Sequence, residues 1–376
     1  MGKQKSPLES VVMQDLFEGI YKNKTVLITG YTGFKGSWLA FWLKQMKAEV
    51  TGYSLLAQTS PNHFELLNLD MPFVNGDIRD VKKLEDTFAL FQPDIVFHLA
   101  AQPLVRFSYE KPIETYDINV IGTLKVFEAC RKYNVKAIVN VTSDKCYENK
   151  EWIWGYREND PMGGHDPYSS SKGCAELLTS SYRNSFFNNS EYKKRHNTLL
   201  ASCRAGNAIG GGDWAKDRLM TDIMLSISQG KTVTIRNPES TRPWQHVLEP
   251  LSGYLHIGQK LLEENSEFAE SWNFGPGNDG NITVKKVAEM IKKDWDALDY
   301  EINYDPNQPH EASLLKLDCS KSHIKLRWNN VWDSTTAFEK TVKWYKNYYK
   351  KGKIDTKENL TSYVNDAKKK NIEWTR

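Results

Sequence analysis

Tyr168 and Lys172 stand four residues apart in D-P-Y-S-S-S-K, a stretch that continues as G-C-A-E-L-L-T-S-S-Y-R-N-S-F-F. On a helix this spacing puts phenol and ammonium on one face, where the cation can lower the phenol pKa and make it a base toward a hydroxyl. Alone, Y-x-x-x-K is a common pattern that equally describes an exposed helical pair. Upstream, an apolar run ends in N-V-T-S-D-K-C-Y-E-N, which sets a hydroxyl, a carboxylate and an amine side by side at Ser143, Asp144 and Lys145. The bland alternative there is a surface salt bridge beside a strand end. What raises both above chance is a third feature: T-V-L-I-T runs directly into Gly30-Tyr31-Thr32-Gly33-Phe34-Lys35-Gly36 and then into a helical pattern. Glycines in a strand-turn-helix bring backbone amides close to a pyrophosphate, whose charge is favoured at a helix N-terminus. Thr32, Phe34 and Lys35 belong to the same turn.

The elements that must position these groups can be read from periodicity. Short apolar runs (TVLIT, DIVFHLA, KAIVNVTS) alternate with longer amphipathic ones (FKGSWLAFWLKQM, VKKLEDTFALF, IGTLKVFEACRKY). This predicts an α/β fold, a Rossmann doubly wound parallel sheet, over residues 24–206. Beyond Asn207 the alternation weakens, and residues 207–376 are expected to form mainly a smaller α/β substrate-binding lobe, with some segments returning to the first domain. Residues 1–23 are an N-terminal extension, expected to be a solvated tail. The second strand ends at Gly52-Tyr53-Ser54-Leu55 without the usual ribose-binding acid, and no arginine or lysine lies between Lys47 and Arg79 to hold a 2′-phosphate. NAD is therefore favoured, with Ser54 on the ribose. Asp77, followed by Ile78, sits where a third strand ends; it could accept from the adenine amino group or could cap the helix of DVKKLEDTF. Ala100 and Ala101 end the fourth strand and let a cofactor lie close.

Among the 376 residues, lysine and arginine exceed aspartate and glutamate by 50 − 47 = 3, so net charge offers no footprint for nucleic acid or an anionic membrane. Five scattered cysteines without C-x-x-C spacing argue against a disulfide frame or metal site and point to a reducing cytoplasm. No apolar run is long enough to span a membrane. The lysine-rich stretch after Tyr345 reads as a solvated face, Trp38 and Trp42 at helical spacing as core, and His246 after Trp244 as a packing group.

The combination GYTGFKG, NVTSDKCYEN and YSSSK resembles the extended short-chain dehydrogenase/reductase superfamily over about Thr25–Trp328. More narrowly, TGFKGSWL, AAQPLVRFSY, GNAIGGGDWAKDRL, TRPWQHVLEPL and NFGP resemble its nucleotide-sugar 4,6-dehydratases, in the branch that acts on CDP-glucose. The resemblance implies tightly held NAD, a nucleotide-sugar substrate and a homodimer or homotetramer. It implies Tyr168 as base at the sugar 4-hydroxyl, Ser143 bonded to the same oxygen and Lys172 on the nicotinamide ribose. Asp144 becomes acid to the C6 hydroxyl and Lys145 base at C5; Asp-Lys in place of Asp-Glu matches the CDP branch. Asn207, Asp213, Trp214, Lys216 and Arg218 match the substrate loop. Arg236 and Arg242 are placed on the substrate, Arg242 at the diphosphate, and Arg106 is either a helper or a structural ion pair. An epimerase or decarboxylase would share the cofactor turn, Ser143, Tyr168 and Lys172 but would have no use for Asp144 beside Lys145. A non-catalytic NAD-sensing regulator would not need the tyrosine and lysine.

Overall fold

The computed structural model describes residues 13–215, 218–235, 238–277, 280–303 and 315–376. Its strands are β1 (Thr25–Thr29), β2 (Glu49–Ser54), β3 (Phe73–Asn75), β4 (Ile95–His98), β5 (Ala137–Val141), β6 (Leu199–Ala205), β7 (Ala208–Ile209), β8 (Val233–Ile235), β9 (Thr241–Pro243), β10 (Gln245–His246), β11 (Ser271–Phe274), β12 (Asn281–Thr283) and β13 (Tyr300–Ile302). Seven of them form one sheet in the order β11-β6-β5-β4-β1-β2-β3, every pairing parallel. The continuous apolar runs of β1, β4 and β5 are buried because helices cover both faces of the sheet. The strand order reverses between β1 and β4, and a doubly wound sheet offers its binding crevice at the carboxyl ends of the strands beside such a reversal.

The helices are α1 (Phe34–Gln45), α2 (His63–Leu67), α3 (Val81–Phe91), α4 (Val105–Glu110), α5 (Pro112–Tyr116), α6 (Thr123–Lys132), α7 (Pro167–Ser185), α8 (Leu219–Gln229), α9 (Leu248–Leu262), α10 (Val284–Asp294), α11 (Ser320–Lys325), α12 (Ser334–Lys351) and α13 (Thr356–Lys369). A π-helical turn at Asp117–Gly122 joins α5 to α6. Helix α1 is apolar on nearly every side and is correspondingly enclosed: Trp38 and Trp42 are fully buried, and Trp38 Nε1 donates to Gly211 O at 2.9 Å. His246 is buried too, edge-on to Trp38 and Trp332. A second core gathers Ile209, Trp214, Met224, Trp244, Val287, Phe338 and Trp344. The three small sheets, β7–β10, β8–β13 and β9–β12, supply or adjoin it.

Two expectations about the chain ends are corrected. Leu16, Phe17 and Tyr21 are buried in the main core rather than solvated; Tyr21 donates its hydroxyl to Leu255 O at 2.5 Å. The lysine-rich C-terminal stretch is largely helical, and Leu360, Tyr363, Val364 and Ala367 of α13 line up at helical spacing to enter the same core. Trp374 then stacks on Phe17 at 5.3 Å, joining the two ends. The lysines decorate the outer faces, which is what made the stretch read as solvent-facing.

Candidate active site

The cradle begins at Gly30, whose φ of +74° belongs to the left-handed region that favours glycine; a Cβ there would lie 2.7 Å from Ala100 N. At Gly36 a Cβ would run into Gly30 O. Gly33 caps α1 without a side-chain bond, so amides of the first turn are left for an anion. Beside the turn, Thr32 and Ser54 bring their hydroxyls together at 2.9 Å, and Ala100 and Ala101 lie half-buried at the end of β4. This small-residue, uncapped cradle fits the pyrophosphate and ribose of a dinucleotide. Asp77 does not cap α3: Asp80 does, accepting from Lys83 N. The Asp77 carboxylate is instead gripped by Arg79, with Nη2 at 2.7 Å, and this hydrogen bonding holds it below its ordinary pKa. Ile78 is buried behind it.

The catalytic groups converge from the end of β5 and the start of α7. At the end of β5, Ser143 is extended and caps a short 3₁₀ turn over Asp144–Cys146, accepting from Lys145 N at 3.2 Å and donating to Asp144 Oδ1 at 3.0 Å. From the other side, Asp166 caps α7 by accepting from Ser169 N at 2.9 Å, with Pro167 in the first turn. That start places Tyr168 beside Ser143, to which it is hydrogen-bonded, and Lys172 one helical turn further on. Ser143, Asp144, Tyr168 and Lys172 are all buried, while Lys145 is half-buried.

Burial governs the electrostatics. It pushes the Asp144 carboxyl up toward its protonated form, against the pull of Lys145, Ser143 and Lys35. Burial likewise raises the Tyr168 phenol to about 12, with Ser143 and Arg218 pulling the other way. The expectation of a lowered phenol is therefore corrected: desolvation outweighs the cations, and the cation with the larger pull on Tyr168 is Arg218 rather than Lys172. Lys172 itself is lowered to about 8 by burial, opposed by Cys146 and Glu176. Lys35 also falls to about 8 through burial, with Asp144 opposing. Its side chain reaches the catalytic centre from the phosphate turn. Only its standing as the one charged residue in G-Y-T-G-F-K-G could have signalled that. Lys35, Lys145, Lys172 and Arg218 thus act on Asp144 or Tyr168 or on one another, a positive site suited to anionic ligands.

Of the substrate-side residues, Asp213 holds Arg218 through an Oδ2–Nη1 contact of 2.5 Å and keeps that guanidinium charged. Trp214 is turned into the second core, where its indole nitrogen donates to Tyr349 at 2.9 Å; it packs rather than faces the crevice. Asn207 is half-buried beyond β6, and its carbonyl accepts from Gln245 N. Arg242 lies in β9 and donates to Thr241 O at 2.8 Å. Arg106 is exposed on α4. Lys216 and Arg236 lie outside the described residues. Unsignalled in sequence were Thr142, Tyr147, Glu176 and Arg204, which interlock beneath the strand end. Among the described residues no group of three or more metal-ligating side chains occurs, and no helix is long and apolar enough to cross a membrane.

The depressed Lys172 has a consequence for stability. Its ordinary value is 10.5, so between about pH 8 and the onset of tyrosine ionisation near 10 the unfolded chain keeps a proton that the native state has released. The Lys172 contribution to stability therefore grows with pH across that window, Lys35 acting in the same sense, while the buried thiols of Cys130, Cys146, Cys203 and Cys319, which burial keeps protonated, act in the opposite sense. Relative to the parent, Lys172→Met should make the pH slope of the urea-unfolding free energy more negative between about pH 8 and 10; a slope equal to the parent's would contradict the buried, weakly basic lysine.

A family model described as GDP-mannose 4,6 dehydratase matches residues 27–343. The chain is 54% identical over 333 residues to the CDP-glucose 4,6-dehydratase of Salmonella typhimurium, covering 88% of this chain and 92% of that protein. It is 31% identical to the CDP-paratose 2-epimerase of Salmonella typhi, covering 85% and 98% of the two chains. Among solved structures, the UDP-glucose 4-epimerase of Thermotoga maritima with UDP-glucose shares the fold at a TM-score of 0.73 and 23% identity, over 86% of this chain and 98% of that one. With most of its length matched by the family model and a relative of this identity, the chain belongs to the GDP-mannose 4,6 dehydratase family.

Proposed function

We propose that the chain converts CDP-glucose to CDP-4-dehydro-6-deoxyglucose with loss of water, using bound NAD. The observation that carries this reading is the buried Ser143-Asp144-Lys145 turn set against Tyr168 and Lys172, joined to 54% identity with a CDP-glucose 4,6-dehydratase. When bound, NAD would supply reversible hydride chemistry, an acceptor for the C4 hydride of the sugar and, once reduced, a donor at C6. The Gly30–Gly36 turn with Thr32, Phe34 and Lys35 would hold its pyrophosphate, Ser54 its ribose, Asp77 and Ile78 its adenine, and Lys172 its nicotinamide ribose. Arg79 is already occupied by Asp77 and Asp117, which leaves it poorly placed to favour a 2′-phosphate.

Tyr168 takes the proton of the 4-hydroxyl, and Ser143 steadies the same oxygen. A ketone at C4 acidifies the C5 hydrogen, which Lys145 removes while Asp144 protonates the departing C6 hydroxyl. Aspartate beside lysine favours charged forms in water, whereas this step needs neutral lysine and protonated acid. Burial already drives Asp144 toward protonation, so a sugar that excludes water completes the shift of one proton within the pair. An epimerase has no task for this pair. Asn207, Asp213, Arg218, Arg236 and Arg242 would hold the nucleotide sugar, Arg242 at its diphosphate, and Lys216 and Arg106 are assigned to the same ligand on the sequence alone. We assign residues 24–206 to the cofactor and 207–376 mainly to the sugar nucleotide.

The five cysteines are unpaired thiols, consistent with a reducing cytoplasm. We infer a homodimer through the face of α4, α5, α6 and α7, where Tyr109, Ile113, Ile121 and Leu177 are exposed, Ile113 to 86%. Sedimentation as a monomer, or as a dimer that Ile113→Asp leaves intact, would contradict that interface.

Incubation with CDP-, UDP- and dTDP-glucose tests the reaction: a 4-keto-6-deoxy product should form fastest from CDP-glucose, and none from all three would refute it. Lys145→Ala should still oxidise C4, read as bound reduced cofactor. Its rate of water loss should fall by about 10²–10⁴-fold, and a near-normal rate would remove Lys145 from the mechanism.

A further inference from the structure

The catalytic turn is gripped at both ends by one buried ion pair. Glu176 lies on α7 one turn beyond Lys172, with its side chain 1% exposed; Arg204 lies on β6, with its side chain 4% exposed. Glu176 accepts from Thr142 Oγ1 at 2.5 Å, from Ser202 Oγ at 2.8 Å and from Arg204 Nη2 at 2.7 Å. Arg204 Nη1 donates to the Tyr147 hydroxyl at 2.7 Å and to Glu158 O at 3.0 Å, and its guanidinium lies 5.0 Å from the Tyr147 ring centre. Tyr147 in turn donates to Asn273 Oδ1 at 2.7 Å, and the Asn273 amide is anchored on Tyr156 O and Asp318 O. Thr142 immediately precedes Ser143, and Tyr147 immediately follows the turn that holds Asp144 and Lys145.

We propose that the Glu176–Arg204 pair is a positioning clamp. It fixes the turn carrying Ser143, Asp144 and Lys145 against the helix carrying Tyr168 and Lys172, by holding Thr142 on one side and Tyr147 on the other. Two halves of the reaction are set on different elements, the C4 proton transfer on α7 and the elimination on the turn, and a single sugar must reach both. Sheet hydrogen bonds fix β5 against β6 but not the turn beyond β5 against α7; the pair does so. A buried ion pair is weak evidence for stability, because desolvating two charges offsets their attraction, whereas its fixed fork of donors sets geometry. Both members stay charged: burial would raise Glu176, but Arg204, Thr142 and Ser202 together hold it low. The clamp therefore does not loosen as the catalytic groups titrate.

This inference rests on the proposed dehydration for its assay. Thr142→Val and Tyr147→Phe, each removing one grip, should fold with the parent's cofactor content and a thermal midpoint lower by only a few degrees, with kcat lower by about 10–100-fold. KM for CDP-glucose should change by no more than about twofold, since the second lobe binds the nucleotide. Thr142→Ser, which keeps the hydroxyl, should restore most of kcat. Val and Phe variants both within about twofold of the parent kcat, or an equal loss in Ser and Val, would overturn the clamp. If the valine variant fails to fold, Tyr147→Phe decides alone. A parent that turns over a different nucleotide sugar refutes the functional reading and leaves the same comparison to be made on that substrate.

Discussion

Asp144 is an ionisable group kept away from water at the carboxyl end of a parallel strand, and the arrangement around it follows from that. A lone buried carboxylate costs too much to persist, so it must be paired or take up a proton. Here both tendencies are set against each other. Burial favours the acid, while Lys145, Ser143 and Lys35 favour the carboxylate. A group poised in this way can give a proton to a leaving hydroxyl and regain it, which a surface aspartate at its ordinary pKa cannot do near neutrality. The same desolvation weakens Lys172 and Lys35 as cations and raises Tyr168, a bias toward neutral forms that still leaves both lysines mainly charged near neutrality. Anionic ligands entering the crevice would reverse part of that bias by supplying the negative charge the lysines lack.

Such poise is useful only if the geometry is held tightly, and the fold holds it from beneath. Strand β5 delivers the turn, α7 delivers the tyrosine and lysine, and β6 supplies the arginine that ties them. Removing one member of a buried ion pair leaves an uncompensated charge, a loss of about 3–5 kcal/mol. That cost explains why Thr142 and Tyr147, which only hydrogen-bond to the pair, are the gentler places to loosen it. On the other side, Tyr345 of the second core exchanges hydrogen bonds with the Asp213 backbone, and the Asp213 carboxylate holds Arg218.

What was legible in the sequence was local. Continuous apolar strands, the glycine turn and the i, i+4 pair of Tyr168 and Lys172 each lie within one or two elements, and the structure places them together. Chain-distant packing was not legible. Leu16, Phe17 and Tyr21 looked like part of a tail because their partners, among them Leu255 and Trp374, are hundreds of residues away. The lysines of α13 masked its apolar stripe. Asp77 and Asp80 compete for one cap, and only the backbone geometry after β3 decides for Asp80. Tyr168 shows the limit most clearly: spacing gives the neighbour, but the burial that dominates its pKa is a property of the whole fold. Glu176 and Arg204 form no motif with each other, being joined only when α7 packs against β6.

The central claim is that one sugar loses hydrogen at C4, water across C5 and C6, and regains the C4 hydrogen at C6 within one active site. Turnover of CDP-glucose carrying deuterium at C4, followed by mass spectrometry and NMR of the product, tests this directly. The account predicts a 4-keto-6-deoxy sugar with the deuterium at C6 and a solvent-derived hydrogen at C5. Deuterium retained at C4 in an epimerised sugar, or washed out into solvent, would contradict it.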